Sequence, residues 1–315
     1  WFKENNFGYL MRSERQKKVY VETEHDKIKY KFYYKRNFYG FRGDEIDPKN
    51  IKIVFLGGST GNQRYTPENL TIVGLLNSKL DQDEFKIKIH NGSTDGKTTR
   101  GYINDFKYWF PKIPNFNPKI VIFYTGNNDA SLEHPTKYDN PWRESKKEKV
   151  KDYLKSNSKF WELIKKIKYK YFLKLRKEYD ITKVRKHLYQ NYEYVNYTDA
   201  INLYTTKKDN LKLIKRFSGR LDTLKIYIDK FNIIPIFITQ IRYDGLGNNK
   251  LYFINEELKK FCKKNNYNII KIDEKLTNLS KSIFYDEVHT TVEGSQKIAN
   301  IIYPDLLSII KKIEF

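Results

Sequence analysis

Five short apolar runs punctuate the chain, each closed by glycine or by a polar loop. The first holds Ile51, Ile53, Val54, Phe55 and Leu56 and stops at Gly57-Gly58. It is too short for a helix and reads as a buried strand. Phe85, Ile87 and Ile89 alternate in the second run. Ile120 to Tyr124 (IVIFY) is the clearest, Ile233 to Thr239 (IIPIFIT) is the fourth, and Asn268 to Ile272 (NIIKI) is a weaker fifth. Helical spacings separate them. Leu70, Val73 and Leu80 share a stripe behind Thr66 as N-cap and Pro67 at the first helical position. A second helical pattern runs from about Thr98 to Phe110, and Ile254, Leu258 and Phe261 belong to a third. This alternation predicts parallel strands in a doubly wound α/β sheet.

The pattern also marks what lies outside the sheet. Residues 1–47 read as an arm, and 48–315 as the body. Lys29 to Gly40 mixes aromatics with charges, as an edge strand or a clamp would, and Asn37 to Gly43 is a turn-rich lead-in whose Arg42 is expected to be an exposed structural residue. Between the third and fourth strands, 131–232 reads as a mostly helical insertion. There Phe160, Leu163, Ile164, Ile167, Tyr171 and Leu175 recur at helical spacing, with Lys159, Lys165, Lys166, Lys170 and Lys174 on the other faces. A solvated helix with its stripe on the core is the favoured reading. Contact with a membrane surface or a partner is the sharper alternative.

Composition changes this picture little. At 315 residues and 39% hydrophobic, the chain can bury a full core. The net charge of +22 invites a nucleic-acid partner. The excess is mostly lysine spread along the chain, no nucleic-acid-binding motif accompanies it, and no such partner is expected. One cysteine, Cys262, excludes an internal disulfide framework and sits in a helical pattern as a packing residue. No apolar run spans a bilayer, yet the chain begins at Trp1. An upstream signal or anchor is therefore expected, with an extracytoplasmic or membrane-tethered setting.

The candidate chemistry sits at the strand ends. Ser59 follows the first strand in GGST, a turn that taken alone is only a strand-to-helix connection. Gly96 closes the polar loop Asn91 to Gly96 after the second strand, and Thr125-Gly126-Asn127-Asn128-Asp129 follows the third. Near the C-terminus, Asp286 and His289 stand three residues apart, with Thr290 and Glu293 spaced as a capping box for the last helix. His25, His90, His134 and His187 have no comparable partner pattern. All these loops fall on one edge of a parallel sheet, where ligands bind. A serine hydroxyl needs a base to become a nucleophile, and the base needs a carboxylate to hold its tautomer. The backbone N–H groups of Ser59 and Gly96 and the Asn128 amide can supply three oxyanion donors.

At these positions the chain resembles the SGNH hydrolases of the GDSL-like lipase and esterase superfamily. Gly57-Gly58-Ser59-Thr60 is similar to block I, Gly96 to the block II glycine, Gly126-Asn127-Asn128-Asp129 to block III and Asp286-x-x-His289 to block V, in order over about residues 51–300. Gly58 stands where the name-giving motif has aspartate, as in GGST-type bacterial members, and implies a more permissive turn. Gly92 competes for the block II position; Gly96 is preferred because Lys97-Thr98-Thr99 follow it. The resemblance implies a three-layer α/β/α sandwich around a flavodoxin-like, five-stranded parallel sheet. It implies Ser59 as nucleophile, His289 as base, Asp286 as its orienter, and an oxyanion hole of Ser59, Gly96 and Asn128, with no metal or organic cofactor. The expected activity is hydrolysis of a small-molecule or glycan ester, a short acyl group on a carbohydrate first of all. An O-acyltransferase using the same serine is the alternative, and a non-catalytic binding module is the third.

Overall fold

In the computed structural model, successive residues of the central strands point into two separate cores, and this sets the architecture. The structure describes residues 2–4, 10–12, 19–25, 28–132, 139, 193–206, 208–276 and 281–313. The N-terminal segment forms two antiparallel hairpins, β1 (Phe2–Glu4) with β2 (Leu10–Arg12) and β3 (Val19–His25) with β4 (Ile28–Tyr34). The main sheet contains β5 (Ile53–Gly57), β6 (Ile89–Asn91), β7 (Ile120–Tyr124), β8 (Ile234–Ile238) and β9 (Asn268–Ile270), all parallel, in the order β6-β5-β7-β8-β9. Val54, Leu56, Val121, Phe123 and Phe237 face one core; Ile53, Phe55, Ile120, Ile122, Ile236 and Ile238 face the other. Both faces are covered, which is why these strands read as unbroken apolar runs.

Among the described residues the α-helices are α1 (Ser59–Asn62), α2 (Ile72–Gln82), α3 (Thr99–Asn104), α4 (Asn127–Ser131), α5 (Tyr197–Leu203), α6 (Leu211–Lys230), α7 (Asn249–Asn265), α8 (Ile272–Lys275) and α9 (Val292–Ile310). Tyr102 of α3, Phe217, Leu221 and Leu224 of α6, and Leu258 of α7 pack on one face of the sheet. Leu76 and Leu80 of α2, Ile272 of α8, and Ile298 and Ile302 of α9 pack on the other. This is the expected three-layer α/β/α sandwich, with the flavodoxin-like strand order 2-1-3-4-5. Helix α6 lies within the interval 131–232 and is the crossover that parallel β7 and β8 require. The amphipathic stripe from Phe160 to Leu175 lies outside the described residues.

Several local expectations shift. Helix α2 begins at Ile72, not Pro67, because a single 3-10 turn over Glu68–Leu70 intervenes and Thr71 takes the cap, its Oγ1 accepting from Gly74 N–H at 3.0 Å. The second strand is Ile89–Asn91, later than the alternation suggested. Phe85 and Ile87 pack against the core outside the ladder, and the side-chain amide of Asn77 closes the strand's outer edge through Ile89 O (2.9 Å) and Ile89 N–H (2.8 Å). The last helix is capped by Thr291, whose Oγ1 accepts from Gly294 N–H at 3.1 Å, so Thr290 and Glu293 form no capping box. Arg42 is structural, as expected, but buried: the carbonyls of Asn62, Gln63 and Thr66 and the Glu68 carboxylate surround its guanidinium. Those carbonyls lie at and just beyond the end of α1, where helix acceptors go unpaired. Cys262 is buried on α7 and burial pushes its thiol pKa up.

Candidate active site

In a 2-1-3-4-5 sheet the chain reverses direction of growth between the first and third strands, and a crevice opens beyond their carboxyl ends. Here those strands are β5 and β7, and they deliver Ser59 and Asn128. Ser59 is the first residue of α1, so its backbone N–H is one of the donors the helix itself leaves without an acceptor. Neither Gly57 nor Gly58 adopts a positive φ, so unusual backbone angles are not their reason. A Cβ on Gly58 would lie 2.2 Å from Asn128 Nδ2. The turn is thus less permissive than expected: glycine lets the Asn128 amide reach the serine's turn. Gly126 does require its freedom, with φ at 145°, and it swings the chain out of β7 into α4. The Asn128 amide also donates to Lys97 O at 2.8 Å, which orients it.

His289 and Asp286 form a hydrogen-bonded couple, Nδ1 to Oδ2 at 2.6 Å. The other carboxylate oxygen accepts from the backbone N–H groups of Val288 (2.9 Å) and His289 (2.7 Å). The Tyr285 ring stacks on the imidazole at 5.6 Å, with 12° between planes. Burial works to raise the Asp286 pKa, but the His289 ring and the two N–H donors outweigh it and hold the carboxyl below its ordinary value. Carboxylate and ring are thereby both oriented.

A pocket of about 200 Å³ is lined by Ser59, Gly96, Asp286 and His289 together with Arg64, Tyr65, Asp95 and Tyr285. Four of the five site residues expected from sequence therefore meet on one cavity; the fifth, Asn128, is not among its lining residues, and its amide instead approaches Gly58, the residue before Ser59. Gly96 has φ at 72° and lines the pocket, whereas a Cβ on Gly92 would press on Leu56 and Trp109 at 3.0 and 3.1 Å. Gly92 is a packing glycine. The residue after Asn128 serves structure: buried Asp129 accepts from Thr99 N–H and Thr125 Oγ1 and pairs with Arg220 at 3.0 Å. Lys97 is buried against Asp105 at 2.6 Å and anchors the loop that carries Gly96. His90 is partly buried on β6, its pKa pushed down to about 4 by burial, and takes no part in the pocket. Among the described residues, no group of three or more His, Cys, Asp or Glu is placed to hold a metal ion, and no helix is long and apolar enough to cross a membrane.

Two buried glutamines, neither singled out as a site residue from the sequence, tie the site's loops together. Gln240, just past β8, donates to Thr60 Oγ1 (2.9 Å) and accepts from Asn127 N–H (2.7 Å), linking the serine turn to the Asn128 turn. Gln63, at the end of α1, donates to Thr290 Oγ1 (3.0 Å) and Ser295 Oγ (2.6 Å) and accepts from Ile72 N–H (2.6 Å). It joins the serine helix to the residue after His289. Gln63→Leu keeps the bulk and removes these bonds, and each buried group left unpaired costs about 1–3 kcal/mol. We expect a lower melting temperature together with a fall in kcat of about tenfold or more, since small displacements of reacting groups are costly. A lowered melting point with unchanged kcat would limit Gln63 to folding.

No protein-family profile and no curated protein matches the chain. Solved structures do resemble it. An acetyl xylan esterase shares 12% identity, with 81% of this chain and 98% of that one covered and a TM-score of 0.47. A lipolytic protein of the G-D-S-L family from Desulfitobacterium hafniense, described as putative, shares 12% over 81% and 99% at 0.48. A variant of an acetyl-xylooligosaccharide esterase from Geobacillus shares 13% over 81% and 94%, also at 0.48.

Proposed function

We propose that this protein is a serine esterase that removes a short acyl group, such as acetyl, from a hydroxyl-rich molecule. The observation that carries this reading is the meeting of Ser59 with the hydrogen-bonded His289–Asp286 couple on one small cavity. Asp286 holds the Nδ1–H tautomer, which leaves Nε2 as the base. Ser59 Oγ attacks the ester carbonyl as its proton passes to Nε2. Negative charge gathers on the carbonyl oxygen, opposite the N–H groups of Ser59 and Gly96 and the Asn128 amide; one such donor is worth about 2.7–4 kcal/mol at the transition state. The alkoxide then leaves with the proton from Nε2, and water repeats the sequence on the acyl-serine, releasing the acid. The pocket beside Ser59 holds about 200 Å³, a size that suits a short acyl group.

The test is covalent capture. A fluorophosphonate should add one phosphonyl group to the intact protein, located by peptide mass spectrometry on Ser59. Labelling of another serine, or of none, would sink the reading.

A further inference from the structure

Arg64 and Asp95 share the pocket with Ser59 but stand outside the acyl-transfer chemistry. Arg64 Nη2 meets Asp95 Oδ2 at 3.1 Å, with 22% and 26% of the two side chains exposed. A pair on open surface would contribute little and sample many arrangements. This one is fixed from behind. Asn62 Nδ2 donates to Asp95 Oδ1 at 2.6 Å, the Asn62 Oδ1 accepts from Tyr34 O–H at 3.0 Å and from Arg36 Nη2 at 2.9 Å, and the Arg64 guanidinium lies 5.5 Å from the Tyr34 ring centroid. Asn62 closes α1, the helix that Ser59 opens, so the pair is referenced to the nucleophile itself.

We propose that Arg64 and Asp95 form a hydroxyl-reading subsite that selects an alcohol moiety bearing a second, free hydroxyl beside the ester; this rests on the serine-esterase reading above. A carboxylate accepts from an O–H, and a guanidinium donates to its oxygen, so together they match a sugar or other polyol. Two other leaving groups fit worse. An anionic one would meet Asp95 and Asp286 on the same cavity, with the charge of the lining Arg64 guanidinium already countered by Asp95. A plain alkyl one would cover both charged groups and return no hydrogen bond.

The probes are a monoacetylated methyl hexopyranoside with a free neighbouring hydroxyl and cyclohexyl acetate, a ring ester of similar bulk without one. Wild type should favour the hexoside in kcat/KM. In Arg64→Met and in Asp95→Asn that preference should fall about tenfold to a hundredfold, the range for hydrogen bonds to charged groups. Arg64→Lys, which keeps the charge but loses the fork, should lose it as well, and melting curves verify that each variant is folded. An unchanged ratio in folded variants, or a wild type with no preference, overturns the subsite while leaving the esterase reading intact. Hydrolysis of neither ester together with an unlabelled Ser59 overturns both.

Discussion

Ser59→Ala is expected to lower kcat for p-nitrophenyl acetate by on the order of 10⁴-fold or more, while the melting curve stays with the wild type. The size follows from the proposed mechanism, in which this change removes the atom that would form the acyl-enzyme. What survives is binding and oxyanion stabilisation, which leave only a residual rate when the nucleophile is gone. The fold should tolerate the change, because Ser59 is half-buried at the first position of α1 and alanine is a good helix former. The Gly58 approach to Asn128 and the bonds of Gln63 and Gln240 do not involve the hydroxyl. Substantial turnover by the folded variant would remove Ser59 from the nucleophile's role.

Asp286→Asn is expected to cost about 10³–10⁴-fold in kcat, through the tautomer and not through the position of the ring. Asp286 uses both carboxylate oxygens: one accepts from two backbone N–H groups and the other meets Nδ1 at 2.6 Å. An asparagine can keep its carbonyl on the N–H groups only by turning its amide NH₂ toward Nδ1. Nδ1 must then be unprotonated, the proton sits on Nε2, and the nitrogen that the proposed mechanism uses as base is blocked. Nitrogen NMR of the imidazole would report the exchanged tautomer. Undiminished kcat would break the assignment of Asp286 as orienter. The same carboxylate has a pH signature. Its folded pKa is depressed, so its contribution to stability is complete above the ordinary aspartate value of about 3.9 and disappears as pH falls through the lower folded value. Asp286→Asn should therefore flatten the acid limb of a melting-temperature profile, and an unaltered limb would contradict the depressed pKa.

The strands were legible because burial on both faces leaves an unbroken apolar run. β7 matches its run residue for residue, and β8 differs by one residue at each end. The loops at the strand ends were legible for a related reason: parallel topology places them all on one edge, so Ser59, Gly96, Asp286 and His289 could be grouped before any contact was known. The Asp286–His289 couple is local, three residues apart, and local spacing suffices to read it.

Element starts were less legible where two candidates compete. Thr290 and Thr291 are equally good caps in isolation. Thr291 takes that role while Thr290 turns to Gln63 and Ser295, a choice made by the neighbouring helix and not by the local sequence. Arg42 reads as a surface charge until the end of α1 and the turn beyond it offer carbonyls.

The amino-acid sequence by itself determined the alternating order of strands and helices, the parallel sheet and the residues at its loop-bearing edge, since hydrophobic period and chain direction are local properties. Only the tertiary structure decided how those residues are held and what else faces the pocket. Gln63 reaches Thr290 across 227 residues and Gln240 reaches Thr60 across 180. Glycine at position 58 is required by an amide in a different loop, and Asp95 is aimed by Asn62 from the end of α1. A hydrogen bond between distant segments leaves no periodic trace along the chain; it exists only once burial has excluded water and each polar group has taken the partner that folding brings to it.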